Sequence, residues 1–308
     1  MIFGKYTFKL KLKDDAILPF YKGSTFRGVL GHALKKTVCA LKHQTCATCI
    51  LRKSCTYALV FETAHAVEMP DLSRVSSPPH PMVLEPPLTG KTNFTKNDTF
   101  ECTLILFGKI NQNLPYFIYA FDQMGEIGLG KRIKGRRARF SLESVVHGEE
   151  TIYNKQEGSI TTPSRLPVLD LMPVDFEPKD RVRIKLMTPL RIMERQKERA
   201  NLPFSLLARS LIRRTTSLLN TYGDGEPELD YSYLAKQAQD IQVKENQLSW
   251  FDWQRYSARQ DTKMFMGGLT GEIEYQGDIA PMIPFFRMAE KVHVGKNTAF
   301  GLGKIQLK

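Results

Sequence analysis

Two segments of this chain run through the same features in the same order. LPYFIYAFDQMGEIGLGK, from Leu114, and IPFFRMAEKVHVGKNTAFGLGK, from Ile283, each give a proline, an aromatic helix, glycines, a basic loop and a closing strand. Shared turn chemistry explains one glycine pair, but not the whole ordered set twice. The residues before each segment also match. In the first half, Phe3, Tyr6, Phe8, Leu10 and Leu12 punctuate charged positions and predict a strand over Ile2–Leu12. A helix over Ser24–Ala40, a strand over Thr99–Gly108, a helix over Leu114–Met124 and a strand over Ala138–Val146 follow, with one more strand near Ala58–Thr63 or Pro81–Glu85. In the second half the pattern predicts strands over Arg181–Ile192, Gln247–Tyr256, Gly268–Tyr275 and Lys304–Leu307, and helices over Leu202–Tyr222 and from Pro284. The prolines and small polar residues from Thr151 to Asp180 read as a linker. The fold expected is α+β: two tandem ferredoxin-like (βαββαβ) domains, 1–150 and 181–308, joined by residues 151–180. A length of 308 residues suits two such units, each with its own core.

Charge narrows the choice of partner. The chain carries 44 Lys and Arg against 32 Asp and Glu, a net charge of +12 spread along its length. A solvated surface needs no such excess, so a polyanion is the natural partner; the plain alternative is a basic protein without a nucleic-acid role. The start, MIFGKYTFKLKLKDD, lacks the unbroken apolar run of a signal peptide, and no apolar stretch approaches a bilayer-spanning length. A cytoplasmic protein without membrane contact is expected.

The basic residues concentrate at the two repeated loops. Lys131, Arg132, Lys134, Arg136, Arg137 and Arg139 fall within nine residues. Arg137 and Arg139 alternate with Ala138 and Phe140, which predicts a strand edge with one cationic face for a sugar–phosphate backbone. In the second half Gly295, Gly301 and Gly303 stand with Lys296, Asn297 and Lys304. Glycines let a backbone approach a phosphate closely; equally, they serve a tight helix-to-strand connection. No Lys-Ser/Thr pair follows and a strand comes next, so this is not a nucleotide P-loop.

Cys39, Cys46, Cys49 and Cys55 form C-x6-C-x2-C-x5-C. Four thiols so close in a reducing compartment point to a metal site inserted in the first domain, most simply structural zinc. An iron–sulfur cluster and four independent buried thiols are the alternatives. With four thiolates engaged, the metal would have no catalytic position. Cys102 sits mid-strand and reads as a core thiol.

FYKGSTFRGVLGHALKKTVC, CATCILRKSCTYALVFE, PPHPMVLEPP and the two glycine-rich closings together resemble the CRISPR precursor-RNA processing endoribonucleases of the repeat-associated mysterious protein (RAMP) superfamily. Cys55, Tyr57, Phe61 and Glu62 resemble the branch with a four-cysteine cluster. The resemblance implies RRM-like RAMP domains, CRISPR repeat RNA and crRNA as partners, and cleavage without a catalytic metal. The ribose 2′-OH would attack the adjacent phosphate, leaving a 2′,3′-cyclic phosphate and a 5′-OH. It also implies RNA contact through the loop from Gly295 to Gly303. Non-cleaving RAMP subunits, which hold crRNA among the other subunits of an effector complex, share the fold. Outside both classes stands a zinc-stabilised protein-interaction scaffold.

Such a reaction needs a base for the 2′-OH, an acid for the leaving oxygen and cationic help for the phosphorane. Helical spacing gathers Phe26, Leu30, Ala33, Leu34 and Thr37 on one side of the first helix and puts His32 elsewhere, near Lys35 and Lys36. His32 is the candidate base, with Lys36 beside it; the alternative is an ordinary exposed histidine. Tyr21 and Lys22 precede the helix and would supply a hydroxyl or a cation. His43 is a possible metal ligand, and His293 abuts the final loop.

Overall fold

In the computed structural model, residues 1–70, 73, 75–171, 180–192, 200–257 and 262–308 are described. The chain divides into Met1–Leu169 with Thr221–Asp224, and Asp170–Asn220 with Gly225–Lys308.

The first unit opens with β1 (Phe3–Leu12) and the short β2 (Ala16–Ile17), then α1 (Gly23–Val38), α2 (Thr56–Phe61) and α3 (Thr63–Ala66). There follow β3 (Met82–Glu85), β4 (Asn93–Phe94), β5 (Thr99–Phe107), α4 (Leu114–Ile127), β6 (Leu129–Ile133), β7 (Arg136–Ala138), β8 (Phe140–His147) and β9 (Glu150–Asn154). The main sheet runs β3-β5-β1-β8-β9. Its first four strands have the ferredoxin-like order, with β1 at the centre, antiparallel to β5 and β8. Period-two alternation decides which face is buried. Tyr6, Phe8, Leu10 and Leu12 enter the core, while Lys5, Lys9 and Lys11 stay exposed. Phe8 stacks on Phe121 of α4, with ring centres 4.0 Å apart, and a buried ring of this kind contributes about 2 kcal/mol. Cys102 lies opposite Phe8, fully in the core, where burial pushes its thiol up.

Of the two places expected for one more strand, Met82–Glu85 is the strand and residues 58–61 belong to a helix. Two expectations are corrected. Glu150–Asn154 is also a strand, paired with β8, so the linker does not begin at Thr151. The alternation around Ala138 does not make one strand: β7 ends there and β8 starts at Phe140.

The second unit contains β10 (Arg181–Leu190), α5 (Phe204–Tyr222), α6 (Tyr231–Asp240), β11 (Gln242–Asn246), β12 (Ser249–Phe251), β13 (Gln254–Ser257), β14 (Thr262–Phe265), β15 (Gly268–Gln276), α7 (Ile283–Val292) and β16 (Ile305–Leu307). Its sheet order β11-β15-β10-β16 repeats that of the first unit. Phe204 sits edge-on to Tyr275 at 5.0 Å and packs against Phe286. The strand expected over Gln247–Tyr256 is two strands, β12 and β13, with different partners. Among the described residues no helix is long and apolar enough to cross a membrane.

Candidate nucleic-acid interface and active site

The first helix carries one candidate surface. Phe26, Val29, Leu30, Ala33 and Leu34 bury its inner face, leaving His32, Lys35 and Lys36 exposed within one turn. The lysines also suit the negative end of the helix dipole. A second layer fixes this surface. Gly31 admits Phe61, since a Cβ there would lie 2.8 Å from its ring. Phe61 stacks on Tyr57 with centres 5.2 Å apart and planes 11° apart. Arg27 lies over Phe61 at 4.7 Å and Lys35 over Tyr57 at 5.3 Å. Two cations of α1 thus clasp two aromatic rings of α2, and each contact adds about 0.5–1 kcal/mol.

Tyr21 and Lys22 are not on that surface. Tyr21 is only 9% exposed, and burial, with the Glu85 carboxylate second, pushes its phenol far above the ordinary range. Lys22 is fully buried, and its Nζ donates to Phe20 O at 3.0 Å and Thr89 O at 2.6 Å. Burial lowers the affinity of its ammonium for the proton. Both side chains serve the interior, and Lys22 ties the β2–α1 segment to the strap that follows β3.

The basic run in the first unit is a β-hairpin. Leu129–Ile133 and Arg136–Ala138 pair, with Lys134 (φ +49) and Gly135 (φ +85) as the two-residue turn. Two left-handed residues make the turn that matches strand twist. Lys131, Arg132, Lys134, Arg136 and Arg137 are exposed on both strands and the tip. Arg139 differs from them. Its Nε donates to Asp14 Oδ2 at 3.2 Å and its amide to the same oxygen at 3.1 Å, which holds Asp14 below the usual carboxylate range. Arg139 therefore anchors the hairpin, and the cationic ladder expected of Arg137 and Arg139 is replaced by a finger charged on all sides.

In the second unit the glycine-rich connection is occupied largely by the protein's own polar groups. Val294, Lys296, Gly301 and Gly303 amides donate to Gly303 O, Arg191 O, Thr298 O and Pro189 O at 2.7–3.1 Å. Thr188 Oγ1 donates to Gly301 O at 2.9 Å, and the Lys304 amide donates back to it. Gly303 (φ +72) has Val294 O 1.8 Å from where a Cβ would stand. The glycines serve a tight helix-to-strand connection, and the exposed side chain there is Lys296. His293 is fully buried, its Nδ1 bonded to Leu302 O at 3.0 Å, so it belongs to that connection and not to the surface.

Known proteins match this arrangement. An N-terminal-domain family, AF_1859_N, covers residues 1–165, and the CRISPR-associated endoribonuclease Cas6 family covers residues 184–305. The chain belongs to the AF_1859_N family, and residues 184–305 match the Cas6 model. An uncharacterized protein of Archaeoglobus fulgidus is 26% identical over 299 residues, spanning 94% of this chain and 93% of that one. A Cas6 product complex superposes with a TM-score of 0.59 at 14% identity over the whole of both chains. Thermus thermophilus Cas6 does so at 0.54 and 12%, over 100% of this chain and 98% of that one. A partial Cas6-RT-Cas1–Cas2 complex gives 0.58 at 15%, with this chain spanning 46% of the matched one. The fold is that of these Cas6 structures, two units each built on a ferredoxin-like sheet.

Ahead of the residues that match the Cas6 model, the first unit holds the cysteine segment between α1 and α2. Cys39 follows α1, Cys55 precedes α2, and all four thiols are half-buried. Burial raises the Cys46 thiol; Lys35 opposes this, while Glu62, Cys55 and Cys39 add to it. The donor chemistry suits zinc. Among the described residues no three His, Cys, Asp or Glu side chains are arranged to hold an ion, and no chemistry is assigned through the thiols. His43 lies within the segment, between Cys39 and Cys46, and is exposed.

Sequence reasoning overlooked two features of this region: the cation–ring clasp, and the burial of Lys22. Tyr57 and Phe61, four apart on a short helix, were the available signal for the first.

Proposed function

We propose that this chain binds CRISPR repeat RNA and cuts it to yield guide crRNA, by attack of a ribose 2′-OH on the neighbouring phosphate. The observation that carries the reading is the exposed turn of α1 with His32, Lys35 and Lys36, in a chain with a Cas6 domain. Imidazole takes up a proton near neutrality, which suits a base for the 2′-OH. The adjoining ammonium groups stabilise charge on the phosphorane as it forms. The leaving 5′ oxygen then takes a proton, and the products are a 2′,3′-cyclic phosphate and a 5′-OH. No metal takes part in this scheme. The hairpin cations and Lys296 supply phosphate contacts, whose counterion release makes binding strongly salt-dependent.

The test is to mix the purified full chain with end-labelled repeat RNA in excess EDTA. A single cut leaving a cyclic phosphate supports the reading. Tight binding with intact RNA points instead to a RAMP subunit that holds crRNA within an effector complex. Absence of binding at low salt removes both.

A further inference from the structure

β1 and β10 hold the same place in the two units, each in the interior of its sheet between two antiparallel neighbours. Both carry cations at alternate positions: Lys5, Lys9 and Lys11 on β1, and Arg181, Arg183 and Lys185 on β10. Alternation sends these side chains to the sheet face away from the core. On β10 each cation has a carboxylate. Arg181 meets Asp180 at 4.0 Å, Arg183 meets Glu245 at 2.8 Å and Glu274 at 2.6 Å, and Lys185 meets Glu272 at 4.0 Å. The protein itself neutralises that row.

The row on β1 is left bare. Lys5, Lys9 and Lys11 are exposed, and among the described residues none of their ammonium groups has an ion-pair or hydrogen-bond partner. Glu101 stands across from Lys9 on β5 without forming an ion pair. Glu143, the extra residue at a bulge in β8, is held by Lys155 at 3.0 Å. The other positions in register with Lys9 and Lys11 are Thr99, Ser144 and Ser141, which carry hydroxyls and no charge. Lys9 and Lys11 stand about 7 Å apart, and the whole row is about 20 Å long. The shorter spacing is inside the screening length of physiological salt, so the charges repel until an anion lies between them.

We propose that Lys5, Lys9 and Lys11 form a track for the sugar–phosphate backbone of a single-stranded part of the bound RNA, away from the cut. This rests on the RNA-binding reading above and extends it to the far side of the first sheet from His32. α1 packs on the core face, where its Phe26 meets Phe100 edge-on at 5.7 Å, so one phosphate cannot touch both α1 and the lysine row. A lysine holds a phosphate as a point charge and reads no base in doing so. No aromatic side chain is in register with any of the three lysines, so no base stacks there and the track tolerates any sequence.

The test is filter binding of the full chain to labelled repeat RNA over a range of salt concentrations. Lys5→Gln, Lys9→Gln and Lys11→Gln combined should weaken binding and flatten the slope of log affinity against log salt by about two, at about 0.7 per single-strand phosphate. Arginine at the same three positions keeps the charge and should bind within about threefold of wild type. Lys185→Gln removes an ammonium already held by Glu272 and should leave the slope unchanged; a flattening equal to that of Lys9→Gln alone would sink the comparison between the two rows and the track with it. On the shortest RNA that is still cut, the combined glutamine variant should bind and cut like wild type. An unchanged slope in that variant, alongside a flattened one in Arg137→Ala, overturns the track and leaves the RNA-binding reading standing. An equal loss on the shortest RNA would put the row beside the scissile phosphate, which also overturns the proposal. If the wild-type chain fails to bind RNA at all, that reading falls and the track with it.

Discussion

The Lys35 ammonium lies 5.3 Å from the centre of the Tyr57 ring, and Tyr57 in turn lies flat against Phe61 beneath Arg27. The last turn of α1 is thereby clamped to α2. His32 and Lys36, on the same turn, are presented from a rigid element, as chemistry at a phosphate requires.

His32→Ala should cut the cleavage rate by about a hundredfold or more while RNA affinity stays close to wild type. Single-turnover kinetics with a parallel binding curve checks this. Parallel losses of rate and affinity would reduce His32 to a residue that positions RNA. A deoxyribose at the scissile position should abolish cutting, because the nucleophile is gone.

Arg137→Ala and Lys296→Ala should each weaken RNA binding and each flatten the salt dependence by about one phosphate contact. Arg139→Ala should behave differently. It frees Asp14 and loosens the hairpin foot, so its main effect is expected in stability, about 0.5 kcal/mol for an exposed pair. Unchanged salt slopes in the first two variants would sink the assignment.

Tyr6, Tyr21 and Tyr275 are buried with their phenols pushed above the ordinary value of 10, burial being the leading cause. Above that pH the unfolded chain releases these protons while the folded chain keeps them. Stability therefore falls as pH rises through the alkaline range. Alkaline absorbance titration should find these three silent until the protein unfolds. Tyr21→Phe should retain cleavage, since a phenol held neutral in the interior is no base for RNA; loss of cutting with normal folding would restore Tyr21 to the active site.

Gly303→Ala places a Cβ against Val294 O at a left-handed backbone position. A loss of about 3 kcal/mol or more is expected, read from the denaturant midpoint. An unperturbed midpoint would mean that the connection relaxes freely.

We propose from their spacing that Cys39, Cys46, Cys49 and Cys55 close on one zinc ion when metal is bound, so gently purified protein should contain one zinc per chain. Cys49→Ser should then lower the melting temperature without acting on chemistry directly. Elemental analysis finding iron would indicate a cluster, and finding neither metal would leave four half-buried thiols.

The sequence by itself determined the doubled α+β plan. Period-two runs such as Phe3–Leu12 and the proline-opened helices at Leu114 and Ile283 encode local structure in their own spacing, and both sheets carry the expected strand order. It also determined that His32 faces away from the core, because a helix stripe is a local property. Tertiary structure decided what depends on partners far along the chain. Lys22 looks like a surface cation until Thr89, 67 residues away, accepts a hydrogen bond from it. Arg139 looks like the other cations of its run until Asp14, 125 residues away, accepts a hydrogen bond from its Nε. The glycines of the last loop look like a phosphate cradle until Pro189 and Arg191 take up the amides of Gly303 and Lys296. A side chain's type is written in the sequence, but its burial and hydrogen-bond partners come from residues that only the folded chain brings near.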